Sequence, residues 1–355
     1  MKILITAPNL NPDKNVSGIS SVVSNILENN KKQEYYHYLL GSPDKRLNKI
    51  LWFWQLCKQI FGFPFFIYRN KIELVHQNIP FNPNGVAREF IINSFCRILR
   101  IPVVLHIHGG IFLMNGIHNP IFRKLSKTIL NYSKKVIVLS QIEKQALEKH
   151  LHYKRAQVLC NSINISTYTA KKNKEPGEIK TILFLGRIHE SKGVDDIIDS
   201  FNLLSKQVNF KFILCGDGPL REHFVNECTV LLAENFEYKG VVSGKEKLRI
   251  IQISDIFLLP SRYGEGMPMA LLETMAAGLV PVVTNDASMK YVVNPYVNGL
   301  RVEKNNPKEL TNKLKELLEN EHLYQSLSEN AIDTIKNNYN IIEYVTDLNN
   351  IYKSV

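Results

Sequence analysis

Short aliphatic runs alternate with segments of helical period along the whole chain, and this alternation constrains the fold more than any other feature. Lys2–Thr6, Leu74–Gln77, Val103–Ile107 and Lys135–Leu139 read as strands. Gly18–Asn29, Ala87–Leu99 and Ile121–Tyr132 read as helices between them. Such alternation predicts a parallel sheet covered by helices on both faces. At Thr169–Lys180 the composition turns to Lys, Asn, Glu, Pro and Gly, a linker signal, and the pattern then restarts. Thr181–Leu185, Phe210–Cys215, Ile256–Leu259 and Val280–Val283 read as strands, with a helix at Val194–Leu204. The 355 residues therefore divide into two doubly wound α/β domains, 1–170 and 171–335, followed by a terminal segment 336–355.

The content of 45% hydrophobic and 22% charged residues excludes a disordered chain. Five Cys with no C-x-x-C pair exclude a disulfide framework and a zinc knuckle, and fit a reducing compartment. Ile3-Leu4-Ile5-Thr6-Ala7 ends at Pro8 and is too short for the apolar part of a signal peptide, so a buried first strand is expected there. No stretch reaches the roughly 18 uncharged apolar residues of a membrane span. Ile50–Tyr68 comes nearest, and Lys58, Gly62 and Pro64 interrupt it. A cytoplasmic protein is expected, peripheral at most on the inner face of the cell membrane. Residues 1–170 carry 22 Lys and Arg against 8 Asp and Glu, whereas residues 171–355 carry 22 against 25. The first half should therefore seek an anionic partner: nucleic acid, an anionic membrane or a phosphorylated substrate.

In open α/β sheets, ligands sit beyond the carboxyl ends of the strands. Gly186-Arg187 follows a strand directly and Lys192-Gly193 opens the next helix, so two cations share one such loop. Both suit a phosphate, Arg as a planar fork and Lys as a point charge; the alternative is two solvated loop cations. Gly216-Asp217-Gly218-Pro219 also follows a strand, either to let backbone approach a ligand or as a plain turn. After Leu259 comes a Gly-rich loop holding Glu265, then Pro268 at an expected first helical position and Gly278 past the helix end. The N–H groups around Gly266, Met267 and Met269 would favour an anion, with Met269 a better donor than Pro268, which has no N–H. Glu273 falls on the second turn of that helix; the alternative readings make Glu265 a surface acid and Glu273 the partner of a neighbour. Asp195-Asp196 is read as the solvated face of a helix, no D-x-D ends a strand, and no metal or other cofactor is expected.

Together, Gly186-Arg187…Lys192-Gly193, Gly216-Asp217-Gly218-Pro219, the Glu265/Glu273 pair and Pro281 after Ala276-Ala277-Gly278 resemble retaining glycosyltransferases of family 4, the group 1 glycosyltransferases. In the first half, Ser17-Gly18-Ile19 is similar to the family's Gly-rich turn, with Ser17 in place of a Gly. Val103–Gly109 is similar to its strand ending in an active-site His, here His108. Asn161-Ser162-Ile163-Asn164 is similar to its linker motif, with Ser and Asn where Gly and Asp are usual.

The resemblance implies the GT-B fold, two Rossmann-like domains facing a cleft, and a terminal helix Ile341–Tyr352 that crosses back to the first domain. It implies that Arg187 and Lys192 hold a donor diphosphate, that Glu273 binds ribose hydroxyls, and that Glu265 with the amides near Gly266 and Met267 faces the transferred sugar. His108 would face the sugar from the other domain, and Gly18 would let backbone approach the phosphates. His106 is read as packed. The reaction implied is sugar transfer, with retention, from a nucleoside-diphosphate-sugar to a saccharide acceptor. UDP is the first expectation for the base and GDP the second.

Ile50–Tyr68 holds both Trp of the chain, five Phe and a Tyr, flanked by Lys45, Arg46, Lys49, Arg69 and Lys71. For most of these side chains a packed helix face is expected, while the basic balance of the domain suits an anionic membrane. A lipid-linked saccharide acceptor and a bacterial surface polysaccharide product follow as expectations. The rival readings are a nucleic-acid-binding protein, which lacks a recognition motif here, a nucleotide-sugar epimerase or hydrolase, and a non-catalytic nucleotide-sugar-binding protein.

Overall fold

The computed structural model describes residues 1–11, 14, 15, 17–41, 48–168, 178–263, 265–286 and 288–355, without the side chains of Lys49 and Trp52. They form two units, Met1–Ser162 with Ile341–Val355, and Ile163–Asn340. The division falls at Ser162, ahead of the linker expected from composition, whose residues 169–177 lie outside the described residues.

In the first unit the order is β1 (Lys2–Ala7), α1 (Gly18–Asn29), β2 (Glu34–Leu39), α2 (Lys49–Asn70), β3 (Leu74–Ile79), α3 (Pro83–Ile98), β4 (Val103–Ile107), α4 (Ile111–Met114), α5 (Pro120–Tyr132), β5 (Lys135–Val138), α6 (Gln141–Leu151) and β6 (Gln157–Val158). The strands form one parallel sheet in the order β2-β1-β3-β4-β5-β6. Every residue of β3 and β4 is buried, and β3 buries His76, Gln77 and Asn78 among its aliphatic residues. The edge strand β2, Glu-Tyr-Tyr-His-Tyr-Leu, is mostly half-exposed and carries no such run.

In the second unit the order is β7 (Thr181–Leu185), α7 (Val194–Leu204), β8 (Lys211–Cys215), α8 (Arg221–Leu232), β9 (Phe236–Gly240), α9 (Gly244–Ile253), β10 (Ile256–Leu259), α10 (Met269–Ala276), β11 (Val280–Thr284), α11 (Met289–Val292), β12 (Leu300–Val302), α12 (Pro307–Glu319) and α13 (Glu321–Asn338). Its parallel sheet runs β12-β11-β10-β7-β8-β9, the strand order of dinucleotide-binding folds. The last helix, α14 (Ile341–Lys353), packs with the first unit. Asn349 exchanges amide hydrogen bonds with Asn30 and accepts from Gln33, while the Tyr352 hydroxyl meets His76 Nδ1 at 2.6 Å. These buried polar contacts fix which turn of the helix faces the sheet.

Two sequence expectations are corrected here. The aromatic helix α2 does not bury most of its aromatic side chains. Phe63 and Ile67 point inward, but Phe53, Trp54, Phe61, Phe65 and Tyr68 are 58–83% exposed. At about 100° per residue, Ile50, Trp54, Phe61, Phe65 and Tyr68 form one stripe opposite Phe63 and Ile67, so this helix is apolar on two faces. Asp196 is not on a solvated face: it is buried and accepts two hydrogen bonds from Arg262, at 2.8 and 2.9 Å.

The start of α6 carries a buried capping box. Ser140 Oγ accepts from Glu143 N at 3.4 Å, and Glu143 Oε2 accepts from Leu139 N at 2.7 Å. Burial pushes the Glu143 carboxyl up to about 8. Because that is above the unfolded value, the stability it supplies when protonated is lost as pH rises toward its folded pKa. Glu143→Gln keeps the cap and removes the titration. Urea unfolding should show the variant equal to the native chain near about pH 5 and more stable by about 1–3 kcal/mol near about pH 9. A gap independent of pH would contradict this assignment.

Candidate active site

The order of the second sheet reverses between β7 and β10, and a crevice opens at such a switch point beyond the strand ends. The loops after β7 and β10 carry Arg187, Lys192 and Glu265. Their backbones are fixed by close approach. Gly193 has φ 71°, and a Cβ there would lie 2.2 Å from the Pro260 carbonyl oxygen. Gly216 and Gly218 let the β8 loop lie along the β7 loop: added Cβ atoms would meet the carbonyl oxygens of Gly186 and Ile188 at 1.8 and 2.1 Å. Gly186 N donates to Cys215 O and Ile188 N to Asp217 O, so the two loops extend the sheet ladder past the strands. The protein's own backbone thus accounts for glycine at 216 and 218.

Three side chains meet at this point. Lys192 Nζ lies 2.5 Å from Glu265 Oε1, and Ser261 Oγ donates to the same oxygen at 2.5 Å. Glu265 is only 7% exposed. A carboxylate so buried needs partners, and here it has a cation and a hydroxyl from two different loops. Arg187, on the same loop as Lys192, is exposed and has no ion-pair partner among the described residues. Glu273 is buried on the second turn of α10, and Lys247 Nζ of α9 reaches its Oε1 at 2.8 Å. Among the described residues, no cluster of three His, Cys, Asp or Glu could hold a metal ion.

Helix α10 begins at Met269 with Pro268 as its N-cap, one position later than the sequence reading placed it. No side chain caps that end. The Met267 and Met269 side chains are buried, so only the backbone of this turn can serve a ligand. Gly278 lies just past the helix with φ 88°, and its N donates to Met275 O while Leu279 N donates to Thr274 O, as the sequence reading requires.

In the first unit, His108 follows β4 and its N continues the ladder to Ile79 O. Its Nε2 meets Asn78 Oδ1 at 2.7 Å. His106, two residues earlier on the same face, is fully buried, with its ring 4.1 Å from that of His108 and its Nδ1 3.2 Å from His76 Nε2. Burial lowers His76 and His108 to about 3 and carries His106 well below the usual range, so all three rings are uncharged at neutral pH. Gly18 starts α1 after the β1 loop, and a Cβ there would meet nothing within 4 Å. Among the described residues nothing requires glycine at 18, in contrast to 193, 216 and 218.

The sequence reading missed Ser261, Lys247 and Asn78. Ser261 follows β10 by one residue beyond Pro260, where the strand-end rule alone points to it. Lys247 lies on α9, and Asn78 lies inside β3 beyond the expected end of that strand; no local pattern marks either.

Residues 23–167 match Glycosyltransferase Family 4 and residues 167–334 match Glycosyl transferases group 1. An uncharacterized glycosyltransferase of Methanocaldococcus jannaschii is 32% identical over 262 residues, 73% of this chain and 69% of that protein. The N,N'-diacetylbacillosaminyl-diphospho-undecaprenol alpha-1,3-N-acetylgalactosaminyltransferase of Campylobacter jejuni is 32% identical over 163 residues, 45% of this chain and 42% of that protein. The solved structure of Anabaena HepE in complex with UDP-glucose superposes with a TM-score of 0.80 at 16% identity, covering all of both chains. With two parallel six-stranded units and both halves matched, the chain belongs to the group 1 glycosyltransferases of family 4 and is a glycosyltransferase of the GT-B fold.

Proposed function

We propose that the protein moves a sugar, with retention, from a UDP-sugar to a lipid-linked saccharide at the inner face of a bacterial cell membrane, in the synthesis of a surface polysaccharide. The observation that carries this reading is the switch-point cluster: a buried carboxylate held by Lys192 and Ser261, beside an uncommitted Arg187. Bond cleavage at the anomeric carbon leaves charge on the donor's diphosphate. Arg187, Lys192 and the uncapped N-terminus of α10 supply fixed positive potential for it, without a metal. As the diphosphate takes Lys192, Glu265 is released to hydroxyls of the transferred sugar. Glu273 suits the ribose, with Lys247 holding its carboxylate. His108 and the open space at Gly18 suit sugar and phosphate.

Retention is taken from the family resemblance. Glu265, once released from Lys192, is committed to a hydroxyl of the sugar, which favours front-side attack, the leaving phosphate taking the acceptor's proton. The UDP donor is favoured by HepE, solved with UDP-glucose, and the lipid-linked acceptor by the Campylobacter relative, named for a diphospho-undecaprenol substrate.

The outer face of α2 supports membrane contact. Among the described residues, no helix is long and apolar enough to cross a membrane. This helix instead presents exposed Trp54, Phe61, Phe65 and Tyr68, and its sequence holds Lys49, Lys58 and Arg69 with no Asp or Glu. Exposed aromatics with basic residues suit the interface of an anionic bilayer. Lys45 and Arg46 lie outside the described residues.

Two measurements test this reading. Arg187 is exposed and has no partner among the described residues, so Arg187→Ala should leave the melting temperature unchanged. With EDTA present, it should lower kcat/KM for the UDP-sugar by about tenfold or more, the loss of one charge-assisted contact. Unchanged kcat/KM would remove Arg187 from the donor site. The native chain should float with anionic liposomes at low salt, and Trp54→Glu with Phe61→Glu and Phe65→Glu should abolish flotation without unfolding. Flotation that survives the triple change would refute the α2 surface.

A further inference from the structure

We propose that Asn78 is a positioning residue for His108: its carboxamide holds the imidazole as the Nε2–H tautomer and leaves Nδ1 as an acceptor for a substrate hydroxyl. The substrate contact rests on the glycosyltransferase reading above; the tautomer does not.

Two hydrogen bonds to Thr6 of β1 hold Asn78. Asn78 N donates to Thr6 Oγ1 at 3.0 Å, and Asn78 Nδ2 donates to the Thr6 carbonyl at 2.9 Å. A carbonyl oxygen can only accept, so this contact decides which end of the carboxamide is nitrogen. Oδ1 is then the atom 2.7 Å from His108 Nε2. An amide oxygen also only accepts, so Nε2 must carry the proton. Burial lowers the ring to about 3, so at neutral pH it holds that proton alone, and Nδ1 presents a lone pair.

Sheet register makes the arrangement rigid. Asn78 is paired with His106 across β3 and β4, so Asn78 meets His108 on the diagonal. His76 meets His106 on the same diagonal one step earlier, Nε2 to Nδ1 at 3.2 Å. His106 stacks against His108, and Tyr352 of α14 bonds the far side of His76. A proton added to His108 would face these two rings in a buried environment. The ring is therefore a hydrogen-bond acceptor and not a cation.

The test is a two-bond 1H–15N correlation spectrum of the full chain with 15N-histidine, His108 being assigned by its loss in His108→Asn. The expected result is protonated Nε2 and bare Nδ1, unchanged from about pH 5.5 to about pH 8. Protonated Nδ1, or two protonated nitrogens, would overturn the proposal, and this measurement needs no variant of Asn78. In Asn78→Ala the two nitrogen shifts should move toward each other as the tautomers exchange. Its kcat should fall about tenfold with donor KM changed by less than about threefold. His108 shifts and kcat identical to those of the native chain would also overturn it. The expected spectrum without any sugar transfer by the native chain would support the tautomer and refute the functional reading instead.

Discussion

A carboxylate removed from water at the end of a parallel strand must be answered by charge or hydrogen bonds from elsewhere, and the second unit is organised around that requirement. Glu265 is answered by Lys192 and Ser261, and Glu273 by Lys247. Lys192 comes from the β7 loop and Lys247 from helix α9, so the elements that carry the two acids cannot be placed independently of these. Gly193 lets the β7 loop press against Pro260, and Gly216 and Gly218 let the β8 loop press against the β7 loop. A third pair, Arg262 with the buried Asp196, ties the β10 loop to α7. These contacts fix the positions of the charges at the rim of the second sheet.

The same physics works differently in the first unit. On the sheet face under α14 the polar groups are neutral: the buried His76, His106, Tyr352 and asparagines, with the half-buried His108 beside them. Neutral groups can be buried if their hydrogen bonds are satisfied, and the register of β3 against β4 supplies two of these bonds by one repeated diagonal. One unit thus presents charge and the other presents oriented lone pairs.

Much of this was legible in the residues. The bounds of α1, β4, β7, α7 and β10 follow from their apolar runs and periods, because these elements are buried on the faces the pattern marks. The edge strands β2 and β9 were not legible, since exposed or half-exposed residues such as Glu34, Tyr35 and Lys239 carry no continuous apolar signal. Arg187, Lys192, Glu265 and Glu273 were legible as strand-end and helix residues, but Ser261, Lys247 and Asn78 were not. Lys247 and Asn78 gain relevance only when distant segments are brought together, whereas Ser261 was marked only by its place after a strand end. The second apolar face of α2 was misread because periodicity reports that a helix has apolar stripes, not which of them the sheet covers.

The most direct measurement is a thermal-shift panel of the full chain with UDP-, GDP- and ADP-sugars. A pyrophosphate gripped by the rim of the second unit stabilises the folded state by RT ln(1 + [L]/Kd), about 2.7 kcal/mol at a hundredfold excess over Kd. The account predicts a rise in melting temperature with UDP-sugars that grows logarithmically with concentration. A folded protein whose melting temperature is indifferent to all three donor classes would contradict it.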